Sequence, residues 1–329
     1  MKRRQILSTA AAALVGAPLS LIPSQAWAAY PERPISLVVP FPPGGPADGY
    51  GRAFALALSQ QLKQPVVVEN RAGVAGALGV QYVSRAVPDG YTLGLAGGGA
   101  LVFLPLLMPK DKLLFDTFKD LTLLSKMVTT PNILIAGPRV NAKTVQELIQ
   151  QAKAKPGIFT IASSGAGSST HILAELFKQQ AGVDMLHIPY KGAAPSLQDL
   201  MAGQVDMTFI EAPAAVPLIK GGKVRALFTT DANRAVWLPD VPSAVEVGLP
   251  DVVAAGMYGI VGPTGMPESL VRQLSMAFDA ALRSPDLTQR FDQFSGIPTP
   301  STGAEFSTYL KSELDRWAPV IRKGKISLE

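Results

Sequence analysis

From residue 35 onward, short apolar runs alternate with longer stretches in which apolar side chains recur every three or four positions. The short runs read as buried strands and the longer stretches as amphipathic helices. Residues 35–40 form the first strand of this pattern. Ala53, Phe54, Ala57, Leu58 and Leu62 form the first helical stripe. Between them lies Phe-Pro-Pro-Gly-Gly-Pro-Ala-Asp-Gly-Tyr-Gly-Arg at 41–52. Glycines there let the backbone turn its N–H groups inward, and prolines restrict the conformers open to the loop. A helix that starts on such a loop aims unsatisfied N–H groups over it, which makes a cradle for an anion. A plain strand-to-helix turn without a ligand fits the same residues.

The pattern continues with a strand at 65–69, a glycine loop at 70–76, a helix at 77–87, an Asp89–Gly90 turn and a strand at 91–95. Gly97, Gly98 and Gly99 follow. Strand, helix and strand in this order imply a parallel sheet with right-handed crossovers. Ligands of open parallel sheets bind at the carboxyl edge, where these glycine loops fall. Residues 101–124 are less regular.

A second unit spans 132–228: strands at 132–136, 158–162, 184–188, 205–210 and 224–228, with helices at 144–155 and 197–201 and a short one ending at Lys220. After the strand at 158–162 comes Ser-Ser-Gly-Ala-Gly-Ser-Ser-Thr-His at 163–171, then a helical stripe of Ile172, Leu173, Leu176 and Phe177. This repeats the opening element, and its small hydroxyl residues can cap the helix or bond a ligand. A late strand at 257–261 and helices at 267–282, 287–294 and 305–323 close the chain. The last helix carries Phe306, Leu310, Leu314 and Trp317 on one side.

The first residues do not join this pattern. Met-Lys-Arg-Arg precedes an apolar, small-residue run at 6–22, and Ala26-Trp27-Ala28 fits an A-x-A cleavage site. Residues 1–28 therefore read as a signal peptide cleaved after Ala28, which directs the mature chain to the periplasm. The Arg3-Arg4 pair fits a twin-arginine signal, and a general secretory signal fits as well. Removing Lys2, Arg3 and Arg4 from the 30 basic residues leaves 27 against 25 acidic ones, so the formal +5 becomes about +2. That near-neutral balance gives no electrostatic footprint for nucleic acid. The chain has no cysteine, which excludes disulfides and thiolate metal sites.

Catalytic machinery is missing from the sequence. There is no G-x-S-x-G elbow, P-loop or H-E-x-x-H helix, and the glycines at 165 and 167 make a poor dinucleotide fingerprint. Two histidines, His171 and His187, cannot build a histidine-rich metal site. Ser164 with His171 could be imagined as nucleophile and base, but no partner acid is indicated; packing at a helix start is the simpler role for His171. An exported chain of two α/β units without catalytic motifs points to a binding protein, not an enzyme, with no cofactor or metal. Such proteins close two lobes around a ligand by hinge motion.

The ordered series of segments resembles the Bug family, the extracytoplasmic receptors of tripartite tricarboxylate transporters. It comprises Tyr-Pro-Glu-Arg-Pro-Ile at 30–35, Val-Pro-Phe-Pro-Pro-Gly-Gly at 39–45 with Asp48 and Arg52, Glu-Asn-Arg-Ala-Gly at 69–73 and Pro-Asp-Gly-Tyr-Thr-Leu at 88–93. In the second half it continues with Ser-Ser-Gly-Ala-Gly-Ser at 163–168 and His171, His-Ile-Pro-Tyr-Lys-Gly at 187–192, Gly-Gln-Val-Asp at 203–206 and Gly-Lys-Val-Arg-Ala-Leu at 222–227. Leu-Pro-Asp-Val-Pro at 238–242 and Trp317 complete it. These segments span nearly all of the mature chain.

The resemblance implies an α/β type II periplasmic binding fold of two lobes with the ligand cleft between them. One lobe would hold residues 30–130 plus 256–329 and the other 131–255. It implies a small organic carboxylate as ligand and membrane permease subunits as partners; a monomer is the default for a diffusing carrier. Carried over, ligand contacts fall on Phe41, Pro42, Gly44, Gly45, Ala47 and Asp48 of the opening loop. In the second loop they fall on Ser163, Ser164, Gly165, Gly167, Ser168 and Thr170, with Gly98 after the third strand. Asp48 could instead cap the first helix. The 97–100 loop lacks the polar residues that members often carry, and Glu211 stands where many have a neutral polar residue. Glu211 would border the cleft and meet a ligand amine, amide or hydroxyl, or else be a solvated or lobe-bridging glutamate.

Neither gripping loop contains Lys or Arg. A helix dipole contributes at most ~2 kcal/mol to an anion, whereas micromolar binding needs ~8 kcal/mol. Charge-assisted hydrogen bonds of ~1.5–3 kcal/mol each must supply most of the difference. A receptor that presents its ligand to a sensor protein would share the same fold, and a secreted hydrolase is a third reading.

Overall fold

The computed structural model describes residues 30–190 and 192–327. The signal-peptide reading of residues 1–28 lies outside the described residues. In chain order the elements are β1 (Ile35–Val39), α1 (Pro46–Leu62), β2 (Val66–Asn70), α2 (Ala77–Ser84), β3 (Thr92–Gly97), α3 (Leu104–Leu107), β4 (Leu121–Ala136) and α4 (Val145–Ala154). Then come β5 (Thr160–Ser163), α5 (Ser169–Ala181), β6 (Leu186–Pro189), α6 (Ala193–Met201), β7 (Met207–Glu211), α7 (Ala212–Lys220) and β8 (Arg225–Thr229). The chain ends with β9 (Ala255–Pro263), α8 (Glu268–Leu282), α9 (Pro285–Gln293), β10 (Ile297–Pro298) and α10 (Gly303–Gly324).

Each apolar run forms its strand, and the amphipathic stripes turn their apolar sides inward. Phe54 and Leu58 of α1 are fully buried, and the Phe54 ring meets Phe278 of α8 edge-on at 5.5 Å. Phe177 of α5 packs against Phe209 of β7 and Phe228 of β8. A capping box of Thr302 and Glu305 starts α10. The Phe306 ring of α10 then lies so close over Gly259 of β9 that no side chain fits there.

Three sequence expectations need correction. The opening helix begins at Pro46, not near Ala53, because Pro46 at the first helical position suits a helix start and Ala47 and Tyr50 are already buried. The strand expected at 132–136 begins eleven residues earlier, at Leu121. Its first half alternates Ser, Lys and Thr with apolar residues and lacks the continuous apolar run of the second half. Finally, the sheet is mixed. β1 pairs in parallel with β2 and β3, and β5 with β6 and β7, as the crossovers require. The strands that join these groups, β9 and β4, run antiparallel to their neighbours.

β4 decides the architecture. The sheet order is β2-β1-β3-β9-β4-β7-β5-β6, and β10 and β8 also pair with β4. Residues 121–131 of β4 pair with β9, and residues 132–136 pair with β7 and β8. β4 thus belongs to two sheet halves in succession. β1 and β3 run in its direction, while β5 and β7 run against it. The carboxyl ends of both strand groups therefore point toward the middle of β4. Gly97 at the end of β3 is level with Tyr258, which pairs with Val128, and Glu211 at the end of β7 pairs with Asn132. The result is a two-lobed α/β fold whose strand ends converge on residues 128–132.

Candidate functional site

The opening loop reaches α1 through Gly45, the residue that caps the helix with extended backbone and no side-chain bond. Asp48, in the first turn, is only 4% exposed. Its Oδ2 accepts from the Gly44 N–H at 2.9 Å and from Arg52 Nε at 2.9 Å, and its Oδ1 accepts from Asn70 Nδ2 at 2.9 Å. The same Asn70 amide donates to the Phe41 carbonyl at 3.0 Å. Asp48 therefore ties the loop to the end of β2. Burial opposes ionisation of its carboxyl, yet the Arg52, Gly44 and Asn70 bonds together hold it below the ordinary carboxylate value. The Gly44 N–H is engaged, while those of Gly45, Ala47 and Asp48 have no partner among the described residues. These are the orphan donors of a helix start.

The second loop is organised by its own hydroxyls. Ser168 caps α5, accepting from His171 N–H at 3.2 Å and donating to the Gly165 carbonyl at 2.7 Å. Thr170 Oγ1 accepts from the Ser164 N–H at 3.0 Å and lies 2.8 Å from Ser164 Oγ. Ser163, fully buried, receives the Gly165 N–H and lies 2.7 Å from His187 Nε2. His171 accepts the Gly167 N–H on Nδ1 at 3.0 Å. The two imidazoles stack at 3.7 Å with an interplanar angle of 3°. Burial lowers both pKa values, that of His187 to about 4, with the neighbouring His171 and Lys178 adding to the effect on His187. The neutral stacked pair props the loop from behind. Ala166, Ser169 and Thr170 keep N–H groups without a partner among the described residues. Ser164 and His171 do not bond each other; each serves the loop.

Between the loops lies the convergence on β4. The Phe41 ring meets Tyr258 edge-on at 5.9 Å, and Tyr258 also lies 5.9 Å from Tyr50. Tyr258 spans the gap beside Gly97, whose Cβ would sit 3.2 Å from its ring. Gly98, one residue on, faces Met257. From the second lobe, Glu211 reaches the same place. A Cβ on Gly256 would lie 2.7 Å from Thr130 Oγ1 and 3.2 Å from Glu211 Oε1, so the missing side chain at 256 is what lets these polar groups crowd together. Burial pushes the Glu211 carboxyl up to about 7, partly offset by the Tyr258 hydroxyl beside it. Thr130 and Asn132, both buried, have side-chain oxygens without hydrogen-bond partners among the described residues.

The structure thus gathers Phe41, Glu211 and the 97–98 turn around Tyr258. It sets the 163–170 loop beside the end of β7 through the β5–β7 register. Pro42 is exposed at the loop tip. Sequence reading did not single out Tyr258, Gly256, Thr130, Asn132 or His187 as members of this arrangement. The Gly-x-Tyr alternation at 256–258 was the one available signal, since residues two apart on a strand share a face. Among the described residues no group of three or more His, Cys, Asp or Glu could hold a metal ion, and no helix is long and apolar enough to cross a membrane.

The model of the "Tripartite tricarboxylate transporter family receptor" matches residues 51–326. Protein BugT of Bordetella pertussis is 34% identical over 301 residues, covering 91% of this chain and 92% of that protein. Among solved structures, R. palustris Rpa4515 with adipate is 31% identical with a TM-score of 0.81, covering 91% of this chain and 99% of that one. MatC from Rhodopseudomonas palustris with bound malate is 30% identical with a TM-score of 0.76, covering 89% of this chain and 100% of that one. The periplasmic binding protein BugD is 30% identical with a TM-score of 0.77, covering 91% and 99%. The chain therefore belongs to the Bug family of tripartite tricarboxylate transporter receptors, and is a solute-binding receptor of periplasmic type rather than an enzyme.

Proposed function

We propose that this receptor captures a small organic carboxylate between its lobes and delivers it to the permease subunits of a tripartite tricarboxylate transporter. The observation that supports the reading most is that α1 and α5 each start just after a strand of a group whose carboxyl ends point toward the middle of β4, with backbone N–H groups that have no partner among the described residues. Gly45, Ala47 and Asp48 would donate from one side, and Ala166, Ser169 and Thr170 from the other. Donors held in fixed positions in a dry cleft bind a carboxylate without a lysine or arginine. Relatives that hold adipate and malate support the same ligand class. The lobes would be residues 30–130 with 256–329, and 131–255. The switch of β4 from β9 to β7 between Pro131 and Asn132 supports that division. Export of the mature chain from Ala29 onward would bring it to the periplasmic face of the permease.

Thermal denaturation of the mature protein across aliphatic mono- and dicarboxylates, adipate and malate included, tests this. A cognate ligand at 100 times its Kd stabilises by ~2.7 kcal/mol. A flat midpoint across the whole panel would overturn the reading. Uptake of the same ligand by vesicles carrying the permease should then depend on added receptor.

A further inference from the structure

At the floor of the cleft, four polar groups from three strands meet where both lobes contribute. Glu211 ends β7, Asn132 faces it across the β4–β7 pair, Thr130 lies two residues before Asn132 on the same face of β4, and Tyr258 projects from β9. Thr130 is fully buried and Asn132 is 5% exposed, yet Thr130 Oγ1 and Asn132 Oδ1 have no hydrogen-bond partner among the described residues. A buried polar oxygen left unpaired is costly, so such atoms point to a group that completes them. Among the described residues no Lys or Arg pairs with Glu211. Gly256, opposite Thr130, carries no side chain, and a Cβ there would lie 2.7 Å from Thr130 Oγ1 and 3.2 Å from Glu211 Oε1, so glycine is what lets these two groups approach each other.

The buried side-chain atoms left unpaired on this floor are oxygens. The Asn132 oxygen and the Glu211 carboxylate accept, the Thr130 hydroxyl can do either, and the Tyr258 hydroxyl stands beside Glu211. With Glu211 ionised, as it is above about pH 7, a second carboxylate placed here would face it with no Lys or Arg among the described residues to separate them. An ammonium or a primary amide would instead donate to Glu211 and Asn132 together, and a hydroxyl would donate to one of them.

We propose that residues Glu211, Asn132 and Thr130 form a second subsite, which selects ligands carrying a hydrogen-bond donor at the end remote from the carboxylate held by α1 and α5. The proposal rests on the carboxylate reading given above and deepens it: the ligand is an ω-amino, ω-hydroxy or ω-amide acid rather than a plain diacid.

Two matched series test it by calorimetric titration of the mature protein: butanoate, 4-hydroxybutanoate, 4-aminobutanoate and succinate, and the six-carbon hexanoate, 6-hydroxyhexanoate, 6-aminohexanoate and adipate. In the series of fitting length, the amino or hydroxy acid should bind at least tenfold tighter than both the unsubstituted acid and the diacid. Glu211→Gln should weaken the amino acid tenfold or more while leaving the unsubstituted acid within threefold. A diacid that binds as tightly as its amino analogue overturns the subsite, and so does a Glu211→Gln variant with an unchanged ranking; the carboxylate reading survives either result. Silence of every acid removes the carboxylate reading and the subsite with it. If the variant fails to fold, the ranking with the unaltered protein decides alone.

Discussion

Replacing Asp48 with alanine should weaken the fold measurably, because one buried carboxylate joins three elements. It receives the Gly44 N–H, the Arg52 guanidinium and the Asn70 amide. Charge-assisted bonds contribute ~1.5–3 kcal/mol each when dry. Two of these are not dry: Gly44 is exposed, and the Arg52 side chain is 55% exposed, so that ion pair is worth under ~1 kcal/mol. Asn70 keeps its bond to Phe41. The net loss is then about 2–3 kcal/mol, larger than the ~1 kcal/mol of a simple helix cap. For a mature chain of about 300 residues the midpoint should fall by roughly 3–5 °C.

The carboxyl of Asp48 is held below its ordinary value of 3.8 in the folded protein. Its stabilisation is therefore fully present above that value and is lost as pH falls through the lower folded value. Urea midpoints of the protein and of Asp48→Ala, measured from pH 7 down to pH 3, should differ fully at neutral pH and converge below about pH 4. Equal midpoints at pH 7 would refute the structural role. A gap that persists undiminished at pH 3 would refute its electrostatic origin.

Other outcomes follow from the same geometry. Ser168→Ala removes the cap of α5 and its bond to the Gly165 carbonyl, and should cost ~1 kcal/mol in a denaturant titration. Glu211 and His187 should oppose each other in acid. A carboxyl raised to about 7 makes the fold more stable as pH falls from 7 toward 4.5, whereas an imidazole lowered to about 4 makes it less stable as pH falls from 6.5 toward 4. Glu211→Gln should therefore raise the melting midpoint at pH 8 and leave a profile that only declines on acidification; a midpoint unchanged at pH 8 would contradict the burial of that charge. Gly259→Ala would put a methyl 2.6 Å from Phe306 Cε1 and 3.0 Å from the Ser125 carbonyl, and should destabilise by about 1–3 kcal/mol in thermal melts.

Much of the design is legible in the residue order. Apolar runs bounded by glycine marked the parallel strands, because a strand buried on both faces needs an unbroken apolar run. The two glycine-rich turns marked helix starts, because backbone amides can turn inward only where side chains are small or absent. Ser168 could be read as a cap, since a hydroxyl just before a helical stripe is a local signal. None of these features depends on a distant part of the chain.

The antiparallel seam was not legible. β4 and β9 are brought together across more than a hundred residues, and the first half of β4 looks irregular alone because its polar positions are satisfied by partners far along the chain. Tyr258, Gly256, Thr130, Asn132 and Glu211 come from three separate strands, and no spacing along the chain encodes their meeting. Nor could sequence show that Asp48 serves Asn70, or that His171 stacks on His187. Local conformational preference and hydrophobic period, which act over a few residues, were set by the sequence itself. The pairing of strand ends into one cleft, and the charge states within it, came only from long-range register and burial, which exist once the whole sheet has assembled.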